Sequence, residues 1–534
     1  MINLNNTYMQ NAKEWAKAGV NIPKYSYGAM RSKTLQAPKW LHFGAGNIFR
    51  GYVARLQHEL LNAGKVESGI ILAESFDFEI NEKILDPHNN LALLITLQND
   101  GNMKKEIIAS MAVNYRTDRH IFELENHFAN PSLQMVSFTI TEKGYNLYDL
   151  SGNFLPVVET DIHGEPSHAK HLISIVSNLM LKRFKAGAFP ISLVSMDNCS
   201  RNGDKLRDAI VTVAKKWQER GKCSMKFIEY LQDAKDVAFP WTMIDKITPA
   251  PSNDVYKHLK DLGICGISPI TTNKGTNIAA FVNAEEPEYL VIEDAFPNGR
   301  PPLEDFGVIF CDKDTVDKAE TMKVATCLNP LHTAMAPFGC LLGYKSISSM
   351  MDDNDIVKLL HKIGYDEGMK VVVNPQIIDP KNFLDEVINV RFKNPYIPDT
   401  PERITTDTSQ MVGIRFGNTI KAYMASETLD SHSLVGIPLA IAGWLRYLLR
   451  VDDNLEPIKL SPDPLHESLL PMLANIIVGK PETMTNALNA ILANEIIFGV
   501  NLYDAEVGEK TEKYFYEMLT GKGAVRRTLN KTLA

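Results

Sequence analysis

Six cysteines in 534 residues (Cys199, Cys223, Cys265, Cys311, Cys327 and Cys340), with no C-x-x-C pair, leave no disulfide framework and no cysteine zinc site to read. No H-E-x-x-H run or carboxylate cluster takes their place, so metal-free chemistry is expected. Positive charge is also short. With 56 Lys and Arg against 64 Asp and Glu, the net charge is −8 and no basic stripe stands out. That argues against nucleic acid or an anionic membrane as the main partner, while a small anion needs only two or three local cations. Long apolar runs are missing: the longest, about Leu434 to Leu445, contains Gly436, Pro438 and Gly443 and is too short for a bilayer. The opening MINLNNTYMQ lacks the charged-then-apolar pattern of a secretory leader, and a cytoplasmic protein is expected. Repeats and coiled-coil heptads are absent too, so the oligomeric state is not readable.

What is present is an ordinary globular composition, 45% apolar and 22% charged, in a chain long enough for two to four domains. In the first half, short apolar runs alternate with amphipathic stretches. A strand at Lys39–Phe43 precedes glycines and a helical pattern over Phe49–Ala63. Further strands are expected at Gly69–Ala73, Met135–Ile140 and Pro190–Ser195. This alternation indicates an α/β domain on a parallel sheet. After about Cys311 the patterns become helical: 315–328, 353–364, 434–450, 465–478 and 482–498. We therefore expect a Rossmann-type domain over 1–310 and a mainly α-helical substrate and catalytic domain over 311–534.

Leu41-His-Phe-Gly44-Ala-Gly46-Asn47-Ile48-Phe49-Arg50-Gly51 lies between the first strand and the first helix. Gly44 and Gly46 permit a tight turn and close backbone approach to a pyrophosphate at a helix N-terminus. The third fingerprint glycine would fall on Phe49, so a structural turn remains the alternative. Glu74 follows the next expected strand, 28 positions after Gly46. A carboxylate there suits the ribose hydroxyls of NAD and repels the 2′-phosphate of NADP, with Asp77 as the fallback.

The run Glu320-Thr-Met-Lys323-Val-Ala-Thr-Cys-Leu-Asn329-Pro-Leu-His332 puts an acid, an amine, an amide and an imidazole within thirteen residues. A lysine in an apolar site can accept a proton near neutrality, and amides can hold an oxyanion, as alcohol oxidation by a hydride-accepting cofactor requires. An amphipathic helix with no chemistry is the bland reading. Asp197 and Asn198 end a strand: Asn198 aims an amide at an oxyanion, or both are turn residues. Asp245 and Lys246 form a charge pair inside an apolar, proline-bounded segment. Arg391, Asn394, Asp399, Arg403 and Asp407 mark a polar loop whose arginines either bind a carboxylate or brace the loop.

These blocks, with Thr139–Tyr145, Met243–Ile247 and Pro438–Arg446, occur in an order that resembles the polyol-specific long-chain dehydrogenase/reductase family. The resemblance is strongest to its uronate-reducing branch. It implies an NAD-dependent, metal-independent oxidoreductase that interconverts D-fructuronate and D-mannonate. Tagaturonate reduction, polyol 2-dehydrogenation and a non-catalytic NAD sensor are the alternatives, and the partner is a sugar acid or polyol. It makes Lys323 the general acid/base, Asn198 and Asn329 the oxyanion amides and His332 the orienting group. Asp245 then supports the lysine and Glu320 continues the proton path. Gly44, Gly46, Asn47, Ile48, Phe49, Arg50, Glu74 and Glu142 fall on the cofactor, and Arg403, Lys246 and Arg391 on the substrate. Two departures stand out. Lys323 and Asn329 are six positions apart where the family has five, and one extra residue turns an α-helix by about 100°. A one-residue π-bulge between them is therefore expected. Met411 stands where a substrate-contacting lysine is expected; Lys246, Arg391 or Lys393 is left to supply the charge.

Overall fold

The computed structural model describes every residue except Met1, Asn6 and Leu150. Contacts divide the chain into two compact units, Met1–Asp317 and Lys318–Ala534.

The first unit is built on a six-stranded sheet of β1 (Trp40–Phe43), β2 (Ile70–Glu74), β3 (Met111–Arg116), β4 (Met135–Phe138), β5 (Ile191–Ser195) and β6 (Val237–Ala238). All five pairings are parallel, and the order across the sheet is β3-β2-β1-β4-β5-β6. This is the doubly wound dinucleotide-binding order. Both faces are covered, so β1, β2, β4 and β5 are buried at every position and read as mainly apolar runs, with His42, Glu74, Ser137, Ser192 and Ser195 the polar exceptions. One face carries a core in which Leu41, Ile71, Val136 and Leu193 of the sheet meet helix residues such as Val176 and Ile210.

A second sheet, less visible in sequence, joins Phe281–Glu285, Ala92–Leu97, Met103–Ile108 and Val20–Asn21. Its central hairpin turns at Gly101, with φ +86°. A third sheet contains Thr242–Asp245, Tyr289–Glu293 and Ile309–Cys311, the last strand among the described residues.

The second unit is helical. The expected helix over 315–328 is α2 (Lys313–Met322) continued by a π-helical turn, Lys323–Cys327. Then follows α3, Asn329–Leu342. The pattern over 434–450 is α4, Gly436–Tyr447. The expected helix over 482–498 is not continuous: it breaks into Pro481–Thr483, Asn489–Leu492 and Glu495–Phe498. Thr485 takes φ +42°, and the Asn494 side chain caps the last piece by accepting from the Ile496 N–H at 2.9 Å.

The first turn of α4 has a remote cap. Glu367 is buried, and its carboxylate accepts the N–H groups of Val435 and Gly436 at 2.7 Å and of Ile437 at 3.0 Å. Three N–H donors that the helix cannot pair internally thus meet one charge at the positive end of its dipole. Glu367→Ala should cost about 2–3 kcal/mol in urea unfolding of the helical unit, with Glu367→Gln losing less. An unchanged midpoint for the alanine variant would contradict this capping role.

Candidate active site

The turn after β1 is made by Gly44, at φ +108°, where a Cβ would collide with the Thr139 carbonyl oxygen. Its N–H donates to the Ala73 carbonyl at 3.0 Å, tying the turn to β2. Gly46 differs: a Cβ there would meet nothing within 4 Å, so the space beside the helix start is open. The helix opens at Asn47, passes through a π-helical turn (Phe49–Val53) and continues as α1, Ala54–Asn62. The first N–H groups of such a helix have no internal acceptors and suit a pyrophosphate. The open side of Gly46 and this helix start fit a dinucleotide cofactor.

Several side chains assigned to the cofactor from sequence support the turn instead. Arg50 is buried and donates to the Ala45 carbonyl (3.1 Å), the Ala279 carbonyl (2.7 Å) and Asn47 Oδ1 (2.9 Å); burial pushes its guanidinium down to about 9. Its side chain therefore holds the turn from within. The Asn47 amide is spent in the same way, donating to Pro249 O at 3.2 Å. Phe49 is buried and stacked on His42 at 4.0 Å, while Ile48 stays half-buried in the first turn.

Glu74 also departs from expectation. Its Oε2 accepts the Ala45 N–H at 2.9 Å, and its Oε1 accepts those of Ser75 and Phe76 at 2.8 Å. Both oxygens of this buried group brace the glycine turn, so the carboxylate places a negative charge at the end of β2. Asp77 takes the Thr272 hydroxyl at 2.6 Å on Oδ2, and its buried Oδ1 has no partner among the described residues. Glu142 is exposed and paired with Lys205.

At the end of β5, Asp197 is a rigid turn residue. It accepts the Ile140 and Thr141 N–H groups at 2.9 Å and the Tyr145 hydroxyl at 2.6 Å. Burial raises its pKa against the pull of those three donors. Asn202 then bolts the loop to the third sheet through the Asp197 and Thr242 carbonyls, both at 3.0 Å. Asn198 lies between these anchors with an exposed side chain. Asp245 is buried at the end of its strand. Its neighbour Lys246 is buried as well and paired with Glu288 at 2.8 Å. Burial lowers its pKa, and Glu288 opposes the shift.

In the helical unit the expected π-bulge is present. The Leu328 N–H donates to the Lys323 carbonyl five residues back at 3.1 Å, and Leu328 leaves helical geometry at φ −126°. The widened turn absorbs the sixth position between Lys323 and Asn329. Pro330 adds to the break, since it has no N–H to continue the ladder and suits a helix start. Lys323 is 1% exposed, whereas Asn329 and His332, one turn apart at the start of α3, are half-buried. Glu320 is half-buried one turn before Lys323 on α2.

The His332 ring packs on Phe392 at 4.4 Å, and no hydrogen bond takes its nitrogens among the described residues. Burial lowers its pKa to about 3; Asp399 opposes this, and Arg403, Arg391 and Arg415 reinforce it. Arg391 is buried at the end of the π-helical turn Val387–Arg391. Arg403 is exposed and held bidentately by Asp399 at 2.6 and 2.7 Å. Arg415 was not picked out from sequence. It stands alone in an apolar stretch, and only its position four residues after Met411, one helical turn, pointed to it.

A parallel sheet of this order, a glycine turn opening a helix and an attached helical unit with a buried lysine define a nicotinamide-nucleotide dehydrogenase. The chain belongs to the mannitol dehydrogenase family: the Mannitol dehydrogenase Rossmann domain matches residues 38–305, and the Mannitol dehydrogenase C-terminal domain matches 315–519. It is 49% identical over 535 residues to a D-mannonate oxidoreductase of Thermotoga maritima, covering 99% of each chain. A mannitol 2-dehydrogenase of Cereibacter sphaeroides is 28% identical over 82% of this chain and 84% of its own. Among solved structures, the Pseudomonas fluorescens mannitol 2-dehydrogenase ternary complex with NAD and D-mannitol superimposes with a TM-score of 0.74 at 25% identity. That match covers 100% of this chain and 99% of the other.

Two expectations follow. Gly46→Ala should leave thermal unfolding nearly unchanged, because nothing lies within 4 Å of the added carbon, and weaken NADH binding by about tenfold in a fluorescence titration. Equal affinity would contradict the placement of the pyrophosphate there. The second concerns His332, whose folded pKa is lowered, so that between about 3 and the unfolded value of about 6.5 the unfolded chain binds the extra proton. Stability contributed by this residue is therefore lost as pH falls through that window. Histidine NMR from about pH 5 to about pH 8 should find this ring neutral throughout; a midpoint near 6.5 would contradict it.

Proposed function

We propose that this protein interconverts D-fructuronate and D-mannonate, with NADH as reductant in the ketone-reducing direction and without a metal. The full-length 49% identity to a D-mannonate oxidoreductase carries this reading. The buried Lys323, on the π-helical turn that leads into Asn329 and His332 at the start of α3, supports it chemically. Among the described residues no group of three or more His, Cys, Asp or Glu side chains is arranged to hold a metal ion. Among the described residues no helix is long and apolar enough to cross a membrane. We place the protein in the cytoplasm.

In this mechanism the open helix start at Gly46–Phe49 holds the pyrophosphate through backbone N–H groups. The negative charge of Glu74 disfavours a 2′-phosphate, a preference worth testing because one relative, from Gluconobacter oxydans, is a polyol:NADP oxidoreductase. A nicotinamide held there would supply the hydride that the ketone carbon receives. Lys323 gives its proton to the ketone oxygen as the C=O bond becomes an alcohol C–O bond, and takes it back in the oxidising direction. The amides of Asn198 and Asn329 donate to that oxygen while it carries negative charge. His332, neutral at working pH, orients the same oxygen by hydrogen bonding without competing for the proton. Asp245 supports the lysine, and Glu320 returns its proton towards solvent. Arg391 and Arg403 add positive charge on the substrate side.

NADH oxidation should be compared with D-fructuronate, D-tagaturonate and D-fructose in parallel. D-Fructuronate should lead by about 10²-fold in kcat/KM. Lys323→Ala should lower kcat by about 10³-fold or more while NADH affinity stays within about twofold. Turnover of another ketone would reassign the substrate. Silence with all three, from protein that still binds NADH, would indicate a nucleotide sensor.

A further inference from the structure

Three fully buried arginines spend their donors on the scaffold, and one half-buried arginine of the helical unit does not. Arg50 spends its donors on two carbonyls and the Asn47 amide oxygen. Arg183 donates to five carbonyl oxygens, and Arg446 to three. Arg415 has a single hydrogen bond among the described residues, from Nη1 to the Thr333 hydroxyl at 2.6 Å. No carboxylate lies within ion-pair distance of it there, and burial pulls it down to about 10. A guanidinium has five N–H donors in a planar fork, so four remain uncommitted.

Its position is fixed closely. Arg415 is the middle residue of the π-helical turn Gly413–Gly417. A Cβ on Gly413 would stand 2.8 Å from the Ile497 carbonyl oxygen, and one on Gly417 would collide with that of Phe498. Glycine at both ends thus lets the turn lie against the 497–498 backbone. Thr333, which anchors the guanidinium, is the residue after His332, and the charge of Arg415 reaches the His332 ring. Three guanidiniums act on that ring against the one carboxylate of Asp399, which Arg403 already grips bidentately.

We propose that Arg415 binds the carboxylate of the substrate and thereby selects sugar acids over neutral ketoses and polyols. This rests on the sugar-acid reading given above. A carboxylate presents two oxygens to the unused edge of the fork and supplies the counter-charge that the protein withholds. A neutral hydroxymethyl group leaves the cation without that partner, so binding energy separates the two substrate classes at this residue. Because the carboxylate is an unreacting part of the substrate, the contact acts on binding more than on the proton transfer.

The experiment compares wild type, Arg415→Gln and Arg415→Lys, all full length. The ratio of kcat/KM for D-fructuronate over D-fructose should fall by about 10²-fold in Arg415→Gln, mainly through KM for the acid, with partial recovery in Arg415→Lys. NADH affinity should stay within about twofold. Equilibrium titration with D-mannonate should show at least about tenfold weaker binding to Arg415→Gln. A parallel fall with both ketones would assign Arg415 a structural role and overturn the proposal, as would an unchanged ratio. A wild type that turns over no sugar acid would sink the proposed function. D-Mannonate affinity equal in wild type and Arg415→Gln would separately sink the role given to Arg415.

Discussion

One backbone hydrogen bond, from the Leu328 N–H to the Lys323 carbonyl, decides where the amine of the helical unit stands. An ordinary α-helical ladder over the same stretch would turn Lys323 away from Asn329 and His332 by about a quarter of a revolution. The π-helical turn holds the extra residue, and the break at Leu328 with Pro330 behind it lets α3 begin afresh. The lysine remains buried, while the amide and imidazole keep open surface at the first turn of α3. The same device recurs where other polar groups are positioned. π-Helical turns carry Arg50, Arg391 and Arg415 as well.

Charge is handled differently in the two units. In the nucleotide-binding unit, ionised groups are consumed by the scaffold. Glu74 and Arg50 clamp the glycine turn, Asp197 grips two N–H groups and a hydroxyl, and Lys246 is matched with Glu288. The turn is thereby rigid before any cofactor arrives, with its backbone N–H groups left for the ligand. In the helical unit, the His332 ring lies in the field of three guanidiniums and one carboxylate. Burial, reinforced by those guanidiniums, keeps the imidazole neutral, and the arginines suit an anionic substrate.

Much of this was legible in the residues. Buried parallel strands announce themselves as short apolar runs, which is why β1, β2, β4 and β5 were expected within a residue or two. Counting positions from Lys323 to Asn329 pointed to the π-bulge before any coordinates. Side-chain direction was not legible. Arg50 and Glu74 sit where cofactor ligands belong, yet turn inward, and sequence spacing does not distinguish the two outcomes. Lys246 looked available because its partner Glu288 lies 42 residues away in the chain. Arg415 stayed hidden for the converse reason: its distinction is a lack of partners, which no motif encodes. The helix expected over 482–498 failed because periodicity survives a cap at Asn494 and a positive φ at Thr485.

The most direct measurement of the central chemistry is an isotope-transfer experiment on the intact protein. D-Fructuronate would be reduced with NADH deuterated at the reactive carbon, and the product examined by NMR and mass spectrometry. The expected result is D-mannonate with one deuterium on the former ketone carbon and none on its oxygen, the hydroxyl proton coming through Lys323. D-Mannonate without deuterium, or label delivered to any other carbon, would contradict direct hydride transfer at this site.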